Sequence, residues 1–265
     1  MSIDTSLRTA CQAAALGLAG LMAACGGDGG PSNPTAGTPA PPASAPVGTA
    51  AGNGCWDLEF LEATGRHLVI ESRSTNGAGE VTALLRQESR VLGQQAFEGQ
   101  SRLATDTAVT LSMPSGQVTS VQRNISYTQR AAGGGVTIHG DEGTMSAGVV
   151  TTSFRTVFVP PWTDTQHTLE PGQSVNQTWT GTSTTNGVTM PLQGSRSIRF
   201  VGREAISVPA GSFATCRFEQ TQPGQPSPFT TWIAQKFGAP VQVQSSGGLT
   251  QALRLIVDGA VVTGN

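Results

Sequence analysis

Apolar and polar residues alternate along most of the chain after residue 55, in short runs that end at Gly, Pro or Asn. Alternation with a period of two is typical of half-buried β-strands, and turn residues at this spacing indicate hairpins. Clear examples are Trp56–Glu62, Arg199–Val201 and Ala252–Val257. The pattern therefore predicts an all-β protein of about a dozen antiparallel strands.

The same pattern predicts further strands at residues 107–113, 118–127, 136–139, 149–159 and 175–180. Only Thr82–Phe97 has apolar spacing that would suit a helix, but Gly93 and the following Glu98-Gly99 favour a pair of strands there. We expect one domain over residues 55–265, folded as a curved sheet, an open barrel or a sandwich.

The clearest local signal is the turn sequence Val208-Pro209-Ala210-Gly211-Ser212-Phe213. Pro209 fixes φ at the second position of a type I turn, and Gly211 at the fourth takes a left-handed conformation. The sequence therefore predicts a hairpin between strands at roughly residues 199–208 and 212–220. The role of Pro209 and Gly211 is structural.

Residues 1–24 have the pattern of a secretory signal peptide, because Arg8 precedes an apolar segment too short and too rich in Ala and Gly to span a membrane. The segment ends in Leu21-Met22-Ala23-Ala24-Cys25, which resembles the lipobox of bacterial lipoproteins, with Met22 where Leu is usual. The resemblance implies cleavage before Cys25 and acylation of that cysteine, with palmitate among the chains. The alternative is an ordinary cleaved signal with an incidental cysteine.

Gly26 follows the cysteine, whereas Asp at this position is the usual inner-membrane retention signal of such lipoproteins. The expected location is therefore the outer membrane, with the domain in the periplasm or at the cell surface. Residues 25–54 contain almost only Gly, Pro, Ala, Ser and Thr, which cannot bury enough apolar surface to offset the entropy of ordering. We expect a disordered tether with a reach of about 30 Å.

Cysteine pairing follows from this processing. Removal of Cys11 and acylation of Cys25 leave Cys55 and Cys216 in the mature protein. An oxidising envelope favours a disulfide between them. A redox or nucleophilic role is the alternative, but neither residue has a Cys-x-x-Cys partner or a nearby histidine.

The residues around the predicted turn, Gly202-Arg203-Glu204 through Phe213 to Cys216, resemble a recurrent signature of uncharacterised bacterial envelope proteins, Gly-x-Glu-x-x-x-Val-Pro-Ala-Gly-x-Phe-x-x-Cys. Leu169–Ser174 and Trp232–Val241 resemble two flanking segments of that family, although Val175 replaces a usual Trp. The resemblance implies a curved antiparallel sheet or open barrel, related in outline to lipoprotein carriers, and implies no activity.

Charge excludes one class of partner. Charged residues make up 12% of the chain, about half the usual fraction, and Lys236 is the only lysine. Because the arginines are scattered singly, no basic stripe for nucleic acid is present in the sequence. The expected partners are the membrane, through the N-terminal lipid, and a lipid or a protein.

Candidate catalytic residues are few. His67, His139 and His167 stand in no metal-binding spacing, and no Gly-x-Ser-x-Gly elbow is present in the sequence. His139-Gly140-Asp141-Glu142-Gly143 could supply an imidazole and carboxylates to a divalent cation, but its composition favours a hairpin loop. Asp164 and His167 are likewise predicted to lie in a solvated loop. We predict no catalytic residue, no cofactor and no metal.

The four tryptophans, Trp56, Trp162, Trp179 and Trp232, could line a concave sheet that holds a hydrophobic ligand. The favoured interpretation is that they fill a core, with Trp179 the one expected to be exposed.

Three hypotheses remain for the function of the protein. The favoured one is a non-catalytic lipoprotein that acts as a binding or envelope-assembly module, for example for a hydrophobic ligand. The second is an interaction or scaffold lipoprotein. The third is an envelope hydrolase, which requires at least two of a set of five side chains to converge in one cleft. The set comprises His139, Asp141, Glu142, Asp164 and His167.

The lipobox resemblance predicts the outcome of a simple fractionation. Cys25→Ser should move the protein from the membrane fraction to the soluble fraction, because the acylated residue is lost. Cys11→Ser is the matched control, since the signal peptide is removed, and it should leave the protein with the membranes. Membrane association that survives Cys25→Ser would refute acylation of this residue.

Overall fold

The computed structural model describes residues 53–224 and 227–264. The predicted signal peptide, Cys25 and almost all of the predicted tether lie outside the described residues. The strands are β1 (His67–Thr75), β2 (Val81–Phe97), β3 (Gln100–Ser112), β4 (Val118–Arg130), β5 (Val136–Ala147), β6 (Val150–Asp164), β7 (Ser174–Thr185), β8 (Val188–Val208), β9 (Gly211–Thr221), β10 (Phe229–Ala234), β11 (Ala239–Ser245), β12 (Gly248–Val257) and β13 (Ala260–Val262). A short helix, α1 (Leu58–Leu61), precedes them, and a 3₁₀ helix (Gln166–Thr168) joins β6 to β7. Neither of these helices, nor any other among the described residues, is long and apolar enough to cross a membrane.

Each strand pairs antiparallel with the next, and β1 also pairs with β12 over Leu68–Thr75. Twelve strands therefore form a closed barrel. β13 pairs with the part of β12 that extends beyond β11, from Leu255 to Val257. The prediction of an all-β antiparallel fold is confirmed, and the sheet closes on itself instead of remaining open.

Three predictions of local structure are wrong. The segment Trp56–Glu62, predicted to be a strand, contains the helix α1, which Asp57 caps by accepting a hydrogen bond from Phe60 N–H. The other two errors concern strand boundaries. Val81–Phe97 is one 17-residue strand with a bulge between Val91 and Gly93, so the glycine bends the strand without ending it. The strand predicted to end at His139 continues to Ala147, and the supposed hairpin loop at residues 139–143 is the middle of β5. The two boundary errors have a common cause, because glycine inside a strand marks a bulge or a kink as readily as a turn.

Register assigns the faces of the barrel, since directly opposed residues point to the same side of a sheet. The outer face of β2–β6 carries charged pairs such as Arg123–Asp106 at 2.6 Å and Arg155–Glu98 at 2.6 Å. The opposite face of the same strands is mostly uncharged: its charged residues are Asp141 of β5, described below, and Arg130 and Asp164 at the proximal ends of β4 and β6.

Because the strands alternate in direction, the barrel has two ends. The end that carries the β2–β3, β4–β5, β6–β7, β8–β9 and β10–β11 connections is called the proximal end, because the N-terminal segment docks there. Asn53 N–H donates to His167 O at 2.8 Å, in the β6–β7 connection. The other end, which carries the β1–β2, β3–β4, β5–β6 and β7–β8 turns, is called the distal end.

Most of the apolar core lies towards the proximal end. The tip of the β8–β9 hairpin packs Val208, Ala210 and Phe213 against Ile70 of β1 and Leu255 of β12, and all five are buried. Ala210 N–H also donates to the backbone of β12, at Ala252 O, at 3.0 Å. The predicted turn is therefore present, and it closes onto the opposite side of the ring.

A disulfide ties the N-terminal segment to this core. Cys55 and Cys216 are bonded, with Cα atoms 5.8 Å apart, and both are fully buried beside Phe200 and Phe218. The bridge closes a loop with a sequence separation of 161. In the chain-entropy model a loop of this length stabilises the folded state by up to about 5 kcal/mol.

Gly211 permits the closest backbone approach at the hairpin tip. Its φ is +141°, and a Cβ atom there would lie 1.8 Å from Thr263 O, in the chain that follows β13. Ser212 N–H donates to the same oxygen at 3.0 Å. A side chain at this position would therefore separate the hairpin from the C-terminal segment.

Gly211→Ala should lower the free energy of unfolding by about 2 kcal/mol, because it adds both a clash and backbone strain. Urea denaturation measures the change. Gly77→Ala is the control, since a Cβ there meets no atom within 4 Å. Equal stability of the two variants would show that the contact with Thr263 does not hold the hairpin tip.

Candidate functional site

Exposed apolar side chains concentrate at the distal end. Among the described residues eight of the large exposed hydrophobic side chains lie in or next to the distal turns: Val81, Met113, Val118, Met145, Val149, Val150, Val188 and Met190. The three others, Val121, Val159 and Val261, lie elsewhere on the strands. Single exposed apolar residues are ordinary, but a concentration of them at one end of a domain marks a surface for binding.

Several of these side chains point into the barrel. Thr156 opposes Ser183 of β7, which opposes Met190 of β8, so all three share the inner face. By the same register Phe154, Thr185 and Val188 form the next row outward. Met190 is 51% exposed and Val188 is 62% exposed although they face inward. Inward-facing residues with this exposure show that the barrel is open at this end.

We call this opening the distal mouth, and its wall is formed by Leu111, Met145, Phe154, Val188 and Met190. Leu111 and Phe154 are half-buried and the other three are exposed. Methionine and valine side chains at such a rim offer an apolar surface, and methionine adapts to ligands of different shape.

Below the mouth, the inner face becomes polar. Register places one continuous band of small polar side chains across β2–β6, which we call the polar belt: Ser89, Thr107, Asn124, Ser126, Asp141 and Thr156. All except Ser89 are buried. Ser89 and Thr107 hydroxyls lie 3.1 Å apart, and the Ser126 hydroxyl donates to Thr105 O at 3.4 Å.

Asp141 is the one ionisable member of the polar belt. It is 5% exposed, and neither carboxylate oxygen has a hydrogen-bond partner of normal geometry. Burial raises its pKa from the ordinary value of 3.8 to about 7, the nearby Thr156 hydroxyl opposes this rise, and the charge of Glu142 adds to it. The carboxylate therefore ionises near neutral pH in an interior position that lacks a compensating charge.

Asp141 lies on the same face of β5 as Met145, with Gly143 between them. Alternate residues of a strand are about 6.6 Å apart, so Asp141 lies roughly 13 Å along β5 from Met145 at the rim. Gly143 keeps β5 close to β4, because a Cβ there would lie 2.0 Å from Arg123 O. The mouth and the carboxylate thus belong to one inner surface.

The polar residues of the proximal end form a different, self-contained cluster. Arg196 Nε donates to Gln177 Oε1 at 2.7 Å, Gln177 Nε2 donates to Asp164 Oδ1 at 3.0 Å, and Arg196 Nη2 lies 2.9 Å from Asp164 Oδ2 as an ion pair. All three side chains are buried. Here the buried carboxylate has its own cation, in contrast to Asp141.

The predicted solvated loop at Asp164 and His167 is therefore wrong. Asp164 is 2% exposed and His167 is 9% exposed, because the N-terminal segment covers them. Trp56 packs on the His167 ring with a centroid distance of 4.5 Å. Burial lowers the pKa of His167, and the charge of Asp164 opposes this change.

The hydrolase hypothesis requires at least two of the five candidate side chains to converge in one cleft. Asp164 and His167 do lie together, but both are buried under the N-terminal segment. Asp141 faces inward, whereas Glu142 faces outward and accepts a hydrogen bond from Tyr127 Oη at 2.8 Å. His139 lies at a bulge of β5, where burial and then the charge of Arg102 lower the pKa of its imidazole. In residues 53–224 and 227–264 no three His, Cys, Asp or Glu residues are grouped to hold a metal ion.

The β2–β3 turn covers Tyr127 on the outer face of the barrel. Phe97 stacks on the Tyr127 ring at 4.2 Å, and Arg155 lies over Phe97 while its guanidinium binds Glu98 and Glu142. Burial, followed by the hydrogen bond to Glu142, raises the pKa of Tyr127 to about 12. These contacts lie on the outer face of the sheet and hold Glu142 there.

The tryptophans are mainly structural. Trp162 and Trp232 are buried, as a core role requires, and Trp56 is half-buried against Phe218 at 5.2 Å. Trp179, expected to be exposed, is half-buried because it stacks on Trp162 at 5.1 Å and covers Gly194.

A polar groove of about 360 Å³ lies near the proximal ends of β2–β4. Its lining includes Arg102, Gln129 and the ion pair between Arg130 and Glu62. Arg102 Nη1 donates to Gln129 Oε1 at 2.9 Å. The charged groups of this groove contact partners of the same chain, so the distal mouth with Asp141 is the stronger candidate.

No family model matches the chain, and no curated protein is significantly similar to it. Two solved structures show a distant similarity. The first is a proposed exported protein with a YmcC-like fold from Bacteroides fragilis, with 14% identity and a TM-score of 0.40 over 73% of this chain and 96% of that protein. The second is a proposed lipoprotein from Parabacteroides distasonis, with 10% identity and a TM-score of 0.36 over 76% of this chain and 96% of that protein. With TM-scores below 0.5, neither similarity bears on the function of this chain.

Asp141 makes the stability of the protein depend on pH in a defined direction. Because the pKa of Asp141 is raised on folding, the folded state binds more protons than the unfolded state between about pH 4 and pH 7. The contribution of Asp141 to the free energy of unfolding therefore falls as pH rises through this window. Asp141→Asn should remove this slope and leave the variant more stable than the parent at pH 8. Urea denaturation at pH 5 and pH 8 measures both.

The lowered pKa values of His139 and His167 make stability rise with pH, which is the opposite direction. Both histidines are present in parent and variant, so the difference in pH dependence between the two proteins isolates the effect of Asp141. Glu59→Gln, at an exposed carboxylate of α1, is the control and should leave the slope unchanged. A variant that loses stability at pH 8 would show that the buried carboxylate has a favourable partner.

Proposed function

We propose that this protein is a non-catalytic, membrane-anchored bacterial lipoprotein that binds a ligand with an apolar body through the distal mouth. The observation that carries the proposal is the exposure of inward-facing Met145, Val188 and Met190 at the open end of a closed barrel. Water at the exposed apolar side chains of the rim is displaced when the apolar part of a ligand binds there, and this displacement favours binding.

Membrane anchoring rests on the resemblance of Leu21–Cys25 to a lipobox, and the outer membrane is the proposed location on the basis of Gly26. Anchoring and ligand binding are separate parts of the proposal. A carrier, a sensor or an envelope-assembly module would each use a mouth of this kind.

A protein partner on the same apolar end is the second candidate. It is favoured by Val149 and Val150 at the tip of the β5–β6 turn, which are 102% and 63% exposed. A flat partner would contact these residues, whereas a small ligand would contact Met145, Val188 and Met190.

The Cys25→Ser protein, purified from a bacterial periplasm, should bind the uncharged fluorophore N-phenyl-1-naphthylamine with saturation near one molecule per barrel. Met145→Gln combined with Met190→Gln should weaken binding about tenfold, because two apolar contacts of the wall become polar. Val121→Gln is the matched control, because Val121 is 38% exposed near the same end and shares the outer face with Arg123. Fluorescence titration measures each affinity.

Native mass spectrometry of the same sample tests for a ligand that travels with the protein. A stoichiometric apolar molecule that is lost from the double variant supports the mouth as its site. Absence of saturable fluorophore binding, or equal weakening by Val121→Gln, would refute binding inside the mouth and leave the protein-partner candidate.

A further inference from the structure

In the part of the barrel interior that the structure describes, the Asp141 carboxylate lacks a cation. This unpaired charge favours a ligand with a positively charged head group. Asp141 is 5% exposed, and neither carboxylate oxygen has a hydrogen-bond partner of normal geometry. A buried charge without a partner is strongly unfavourable, whereas a cation brought to it forms a charge-assisted hydrogen bond.

The neighbours of Asp141 on the inner face are neutral. Ser126 opposes it on β4 and Thr156 opposes it on β6, while Asn124 is the next inner residue of β4. Arg123 of β4 and Arg155 of β6, on the two strands that flank β5, pair with carboxylates on the outer face. In residues 53–224 and 227–264, no arginine or lysine forms an ion pair with the Asp141 carboxylate.

We propose that the ligand of the distal mouth is an amphipathic amine, whose ammonium group pairs with the Asp141 carboxylate while its apolar body lies against Met145, Phe154 and Met190. This inference rests on the proposed function, since it assigns the head group of a ligand at the same site.

The geometry orients such a ligand. Asp141 lies on the face of β5 that also carries Met145, roughly 13 Å further along the strand towards the interior, so the charged group enters first and the apolar part remains at the rim. Ser126, Thr156 and Asn124 provide oxygen acceptors for the remaining N–H groups of an ammonium ion. An anionic head group would meet like charge at Asp141, and an alcohol would leave the carboxylate without a compensating charge.

Displacement of N-phenyl-1-naphthylamine by decylammonium and by decanol at pH 8 tests the head group, because the two probes share one alkyl chain. Decylammonium should displace the fluorophore from the parent protein at about tenfold lower concentration than decanol, which corresponds to about 1.4 kcal/mol. Asp141→Asn should abolish the difference between the two probes by weakening only the amine.

Asp106→Asn is the matched control, because Asp106 is an aspartate of the outer face paired with Arg123, and the preference for the amine should persist in it. Thermal unfolding at pH 8 checks that both variants are folded. The fluorophore titration of each variant shows that the mouth still accepts an apolar molecule.

The outcomes separate the two proposals. Equal displacement by both probes from the parent protein, or a preference for the amine that persists in Asp141→Asn, overturns the head-group inference while the apolar mouth stands. Failure of the fluorophore and of both probes to bind overturns the proposed function itself. A preference that is present in the parent and in Asp106→Asn, and absent in Asp141→Asn, supports an amine ligand.

Discussion

The pairing of β1 with β12 is the interaction on which the remaining structure depends. It joins Leu68–Thr75 to a strand near the C-terminus and removes both edges of a long antiparallel sheet. Once the ring is closed, alternate side chains of every strand are assigned to an interior or to the surface. Asp141 becomes buried for this reason, although its own segment has a polar and glycine-rich composition.

A closed ring of twelve strands also creates a filling problem, because an eight-stranded barrel is already wide enough to be just filled by its side chains. At the proximal end, segments from elsewhere in the chain fill the interior of the barrel. The hairpin tip around Phe213 and the N-terminal segment held by Cys55 both pack there. The polar belt has only small side chains, and at the distal end Met190 and Val188 remain exposed.

Sequence periodicity predicted most strands and the turn at Pro209 because both depend on residues close together in the chain. Closure of the ring could not be predicted in this way, since Leu68 and its partner Val257 carry no local signal for each other. The burial of His167 was missed for the same reason, because the residues that cover it precede β1. Asp141 could have been recognised only by extending the alternation of Met145 and Gly143 through a segment that resembles a loop.

The N-terminal segment and the mouth occupy opposite ends of the barrel. Asn53 is hydrogen-bonded at the end that carries the β6–β7 connection, whereas Met145 and Met190 surround the opening at the other end. A protein anchored through the segment before Asn53 would, when upright, direct its opening away from its own leaflet. Exchange of a molecule with that leaflet would then require the whole barrel to tip over on its tether, whereas exchange with a facing surface would not. The position of the N-terminal segment would thus set the direction in which the opening of an anchored barrel faces.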